Sequence, residues 1–179
     1  MLLLVLALLA GSGQAGSPTP CMAPEYRQFD FWIGDWVVHD ASGQQIGTNR
    51  IESIENGCGI QENWTDRRGL TGRSINVFRP GSKTWTQLWT SSWGGILLLE
   101  GRYENDRMVM TGDAIGRDGS IERQRTTWSR TDNGVRQLSE RSRDGGRTWT
   151  IAFDGRYVRA AIAREPALRS APVSDKQGR

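Results

Sequence analysis

Lysine is almost absent from this chain: Lys83 and Lys176 are the only two, so nearly all its positive charge is arginine. The 23 basic residues face 20 acidic ones, for a formal net charge of +3. The arginines are spread along the whole length, which reads as a solvated surface and not as the concentrated footprint of a nucleic-acid binder. No nucleic-acid partner is expected. Histidine is scarcer still, His39 being the only one, and a haem or metal site needs more than one stray imidazole. Neither a G-x-S-x-G elbow nor an H-E-x-x-H pair occurs. No cofactor and no metal are expected. Helical periodicity is also lacking, since no window sets apolar residues at helical spacing over three turns.

Long apolar runs are missing with one exception. Leu2 to Ala10 is continuous, too short to cross a bilayer and suited to the core of a signal peptide, although no Lys or Arg precedes it. Gly13 and Ala15 supply small residues at −3 and −1, which predicts cleavage after Ala15. Cys21 follows Pro18-Thr19-Pro20 and so does not fit a lipoprotein anchor. The expected location is periplasmic or secreted, with no stable membrane insertion after cleavage. The two cysteines, Cys21 and Cys58, are an even count in an oxidising compartment and are expected to pair, the alternative being two buried thiols.

What remains divides simply. Residues 1–15 read as the leader and 16–24, rich in Gly, Ser and Pro, as a flexible arm. Residues 25–160 read as one β domain and 161–179, without periodicity, as a disordered tail. Turn signals such as Ser42-Gly43, Asn56-Gly57, Pro80-Gly81, Asp118-Gly119 and Asn133-Gly134 recur about every 8–12 residues, the mark of a sandwich or barrel. Between them lie runs of alternating character, Trp85, Gln87 and Trp89 against Thr86, Leu88 and Thr90 being the clearest. The pattern predicts about ten strands: 34–40, 45–54, 59–66, 71–79, 84–91, 95–103, 107–114, 120–130, 134–142 and 147–159. Short connections make neighbours antiparallel, and closure into an up-and-down barrel removes the exposed edges. A short helical turn is expected at 25–29.

Two motifs stand at the ends of this array. Ser142-Arg143-Asp144-Gly145-Gly146-Arg147-Thr148-Trp149 fits the Asp box, in which the Asp accepts backbone N–H groups across a hairpin and the Trp packs beneath it. One copy in so short a chain reads as a braced hairpin and not as a sugar-cleaving propeller. At the other end Gly34-Asp35-Trp36 has the G-x-W form found on the first strand of lipocalins, where an arginine of the last strand stacks on the Trp. Arg156 and Arg159 are the candidates for that arginine.

The longer string Phe29-Asp30-Phe31-Trp32-Ile33-Gly34-Asp35-Trp36 precedes a Gly57-Cys58 turn. Glu62-Asn63-Trp64, Trp85 to Trp89 and the terminal Trp149 hairpin follow. This arrangement resembles a family of bacterial secreted and cytoplasmic domains of unknown function with a lipocalin-like, calycin-type fold. The resemblance spans about residues 25–159. It implies a barrel with a pocket and no particular activity.

In a small barrel alternate residues point inward. Placing the large aromatics inside predicts an interior of Trp64, Trp85, Gln87 and Trp89 with Glu62, Glu100, Arg125 (or Arg123) and Gln137. Ser74, Asn76 and Phe78 share one face of their strand. His39 is expected outside, opposite Trp36. Such a wall suits a small hydrophobic or aromatic molecule held by a few polar groups. The alternatives are a filled core with paired charges, or an isomerase or hydrolase using Glu62 and Glu100 as an acid/base pair.

Overall fold

The computed structural model describes residues 21–116 and 118–161. The predicted leader, most of the arm and nearly all of the predicted tail lie outside the described residues. Ten strands run Gly34–His39 (β1), Gln45–Ile54 (β2), Gly59–Asp66 (β3), Thr71–Arg79 (β4), Thr84–Ser91 (β5), Ile96–Glu104 (β6), Arg107–Ile115 (β7), Ile121–Thr131 (β8), Gly134–Ser142 (β9) and Thr150–Arg159 (β10). Each pairs antiparallel with its sequence neighbours, and β1 pairs with β10 to close the barrel. The expected all-β up-and-down barrel is therefore formed, with strand limits within a few residues of those read from the turn signals.

The interior divides into two halves. One end is filled by the short 3₁₀ turns Pro24–Arg27 and Asp30–Trp32. They carry Phe29 and Trp32 inside, where both are fully buried. Phe29 stacks on Trp32 at 5.0 Å between ring centroids and meets Trp85 and Trp128 edge-on at 5.7 and 5.2 Å. Trp36 closes the same end, its indole N–H donating to the Trp32 carbonyl at 2.8 Å. Met108, Met110, Phe78 and Val135 fill the remaining space.

Two fixtures hold this filling in place. The disulfide joins Cys21 to Cys58 across a separation of 37 residues, and the Arg27 guanidinium donates to the Gly57 carbonyl on the same turn. The predicted cation–π contact on Trp36 is made by Arg159, whose guanidinium carbon lies 4.0 Å above the ring. Arg156 does not make it. The register sets Trp36 directly opposite Arg159 on the inner face and His39 opposite Arg156 on the outer face, so Arg156 turns out and donates to the Ala41 carbonyl at 3.0 Å. Gly34 is needed here: its φ of +146° and lack of a side chain leave room for the Arg159 guanidinium;.

The Asp box forms as a brace between β9 and β10. Asp144 accepts from the N–H groups of Arg147 and Thr148 at 3.0 and 2.9 Å and from the hydroxyls of Thr148 and Ser142 at 2.6 and 2.7 Å. These donors, the Thr148 hydroxyl first, hold its carboxyl far below the usual carboxylate range. Trp149 packs under the turn and donates to the Gly146 carbonyl at 3.0 Å.

Two stability measurements test this arrangement. Replacing Cys21 and Cys58 by serine lowers the unfolding free energy by about 3–4 kcal/mol, the loop-closure contribution for a loop of this length; an unchanged urea midpoint contradicts it. Trp32→Ala costs about 3–5 kcal/mol because the facing aromatics cannot collapse into the gap. A loss under about 1 kcal/mol shows that the end is not packed as described.

Candidate functional site

Above the filled half the barrel opens into a cavity of about 760 Å³. Its mouth is formed by the β1–β2, β3–β4 and β5–β6 turns, represented by Gln44, Asp66 to Arg68 and Trp93. Its wall is largely aromatic and aliphatic: Trp64, Trp89, Trp93, Leu97, Phe153 and Ile46. Trp64 meets Phe153 edge-on at 6.1 Å and Trp89 meets Trp93 at 5.9 Å. The floor is polar, where Glu62 and Tyr157 reach the cavity.

The wall tryptophans lie against glycines. A Cβ on Gly47 would stand 2.5 Å from the Trp64 ring, and one on Gly72 would stand 2.9 Å from the Trp89 indole nitrogen. Both rings thus lie close over the barrel wall. A side chain at Gly72 would displace Trp89, and one at Gly47 would meet the Thr65 carbonyl as well as Trp64.

The floor is a hydrogen-bonded chain that crosses six strands. The Asn49 amide of β2 donates to Glu62 at 2.8 Å and to the Tyr157 hydroxyl at 3.2 Å. Tyr157 donates to the Gln137 side-chain carbonyl at 2.6 Å. From the other side Ser74 donates to the second Glu62 oxygen at 2.8 Å, Asn76 donates to Ser74 at 3.0 Å, and Gln87 donates to Asn76 at 2.8 Å. Asn49, Glu62, Ser74, Asn76 and Gln87 are all buried. Burial pushes the Glu62 carboxyl above its ordinary value, against the opposing hydrogen bonds of Asn49 and Ser74 and the charge of Arg73. Burial, and then the Glu62 charge, push the Tyr157 phenol well above its ordinary value.

The expected interior is met in part. Glu62, Trp64 and Trp89 line the cavity, and Gln87 and Gln137 belong to the chain at its floor. Trp85 is inside but lower, against Phe29 and Phe78 in the filled half, where its indole donates to Gln28 at 3.2 Å. Glu100 is not inside. Leu99 and Gly101 oppose the inward Gln87 and Trp85, which turns Glu100 outward with its partner Thr86. There it bonds Arg79 at 2.7 Å. Glu62 and Glu100 stand on opposite faces of the wall and form no acid/base pair. Arg123 and Arg125 also face out, because Gln124, Thr126 and Trp128 take the inner face of β8. Arg125 bonds Glu140 at 2.9 Å and lies 4.2 Å over the Trp149 ring. His39 is outside, as expected.

Residues of the site outside the sequence expectation include Ile46, Asn49, Trp93, Leu97, Phe153 and Tyr157. The signal for Asn49 and Tyr157 is alternation within β2 and β10. Asn49 shares a face with Ile51 across Arg50, and Tyr157 follows Gly155 between Arg156 and Val158. Among the described residues no group of three His, Cys, Asp or Glu side chains gathers as a metal site.

The direction of the Glu62 shift sets a pH dependence. The folded chain holds this proton to higher pH than the unfolded chain, so it binds more protons in the interval above the ordinary value of 4.5. Stability contributed by the neutral carboxyl is therefore lost as pH rises through the raised folded value. The urea midpoint of the wild type should fall as pH rises above the ordinary carboxylate range, relative to that of Glu62→Gln, which lacks this titration;. Parallel profiles for the two proteins contradict a buried, raised Glu62. A scan against protein-family models and a search of curated proteins found no match to this chain.

Proposed function

We propose that this chain is an exported, lipocalin-like barrel that binds a small hydrophobic or aromatic molecule in its open half. The observation that carries the reading is the aromatic-walled cavity over a fixed polar floor. Its volume of about 760 Å³ lies within the range of small-molecule sites, about 300–1,000 Å³. Trp64, Trp89 and Phe153 supply apolar area at little entropic cost, and Glu62 and Tyr157 supply orientation.

Export is supported by two features. The Leu2 to Ala10 run has the length of a leader's apolar core and is followed by small residues at Gly13 and Ala15, and the Cys21–Cys58 disulfide is of the kind that persists in oxidising compartments. No helix among the described residues is long and apolar enough to cross a membrane. The resemblance carried by Phe29 to Trp36 supports a lipocalin-like assignment, and the Arg159–Trp36 stack is of the type that assignment anticipates.

Binding is tested with the neutral dye N-phenyl-1-naphthylamine, whose fluorescence rises in apolar surroundings. One dye should bind per chain. Trp89→Ala and Gly72→Val should each weaken it by at least about tenfold, equivalent to about 1.4 kcal/mol. The first removes wall and the second drives Trp89 into the cavity. Failure of the dye to bind, or binding indifferent to both changes, removes the proposal. Export is tested by cell fractionation of the tagged full chain, which should give a mature form starting at Gly16 outside the cytoplasm.

A further inference from the structure

We propose that the ligand of this cavity carries a protonated amine, which docks on Glu62 at the floor beneath an aromatic wall. The proposal rests on the ligand-binding reading above and specifies the chemical class of its ligand.

Hydrogen-bond polarity along the floor is the first ground. Both Asn49 amide hydrogens are committed, to Glu62 and to Tyr157. The Ser74 hydroxyl is committed to Glu62 and the Tyr157 hydroxyl to Gln137. Both Asn76 amide hydrogens are committed, to the Ile60 carbonyl and to Ser74. What these residues leave unused is acceptor capacity. Each Glu62 oxygen takes one donor, and an ionised carboxylate has room for more. The Asn49 carbonyl oxygen is buried with no partner in the protein. Around Glu62 the floor thus offers acceptors, which suits a ligand that brings donors.

Charge is the second ground. Glu62 is a buried carboxyl whose two hydrogen bonds come from neutral groups, and among the described residues no cation forms an ion pair with it. The nearest charged side chains lie elsewhere. Arg73 is exposed and donates to the Trp64 and Gly72 carbonyls, while Arg67 and Arg68 stand exposed at the mouth, Arg68 paired with Asp66 at 3.0 Å. An unpaired buried carboxylate is costly, and one charge-assisted bond to an ammonium offsets that cost. The walls agree with this where Trp64, Trp89 and Phe153 turn ring faces to the cavity, since the negative face of an aromatic ring attracts an organic cation.

The proposal also accounts for the raised Glu62. Burial disfavours the carboxylate, and a docked ammonium draws the proton off. The groups facing Glu62 are Asn49, Ser74 and Tyr157. Tyr157, pushed well above its ordinary value, stays neutral through the range in which Glu62 ionises. Amine affinity should therefore rise with pH through the Glu62 titration.

Calorimetry of the wild-type chain with three indole probes decides the matter. Tryptamine is the cation, 3-propylindole its neutral shape analogue and indole-3-propionate the anion. At about pH 7 tryptamine should bind at least about tenfold tighter than either of the others. Its affinity should climb as pH rises above the ordinary carboxylate range while that of 3-propylindole stays level. In Glu62→Gln the preference for tryptamine over 3-propylindole should vanish. Equal or tighter binding of the neutral or anionic probe, or a flat pH profile for tryptamine, overturns the amine assignment. If N-phenyl-1-naphthylamine binds and none of the indoles does, the amine assignment also falls and the pocket reading stands. If the dye fails as well, the pocket reading falls with it. The wild-type comparison needs no variant to fold.

Discussion

Phe29 and Trp32 enter the barrel from one end and pack against Trp85, Trp128, Trp36 and Tyr157. Ten strands enclose more space than their own inward side chains fill. The N-terminal turns occupy one half of that space, which leaves the cavity in the other half with a defined floor. Were this segment to leave, the aromatic cluster would be exposed to water and the floor would lose its support. The disulfide to Cys58, the Arg27 contact on Gly57 and the Arg159 stack on Trp36 all act on this segment or beside it. They stabilise the position of the segment more than the strand ladder, which is closed on its own account.

The floor gains its rigidity from the same packing. Tyr157 touches Trp32 and Trp36 from above, at 6.3 and 6.1 Å between centroids, and presents its hydroxyl to Asn49 and Gln137. Glu62 is thereby held in a fixed, buried setting in which a carboxyl does not ionise readily;. Water-facing carboxylates such as Glu100 and Asp144 are paired or capped in the ordinary way. Glu62 differs in being buried beneath an open cavity with no ion-pair partner among the described residues.

Much of the barrel could be read from the chain because turn chemistry is local. Gly, Asn and Asp at the hairpins announce themselves by the backbone conformations they tolerate, and strands between them alternate visibly. Choosing the inner face was harder. On β5 the tryptophans settle it, and on β3 Glu62 follows Trp64. On β6 both faces are apolar, with Leu97 and Leu99 inside and Ile96 and Leu98 outside, so alternation alone could not assign Glu100. The outer residues belong to an exposed row in which Ile75, Leu88 and Leu98 are cross-strand partners. On β8 the inner face is marked by Trp128 and not by the arginines. The split into a filled and an open half depends on contacts between residues far apart in sequence, such as Phe29 with Trp128, which no local pattern reports. Trp85 was assigned to the ligand wall for that reason.

The central claim is that the open half of this barrel accepts a molecule between Trp64, Trp89 and Phe153 above Tyr157. A crystal structure grown with N-phenyl-1-naphthylamine tests it most directly. The account predicts density for one dye inside the barrel, in contact with those side chains, and an unchanged Phe29–Trp32 filling below it. A cavity closed by Trp64 and Trp89 swung onto each other, with the dye seated on the outer row of Ile75, Leu88 and Leu98, would contradict it.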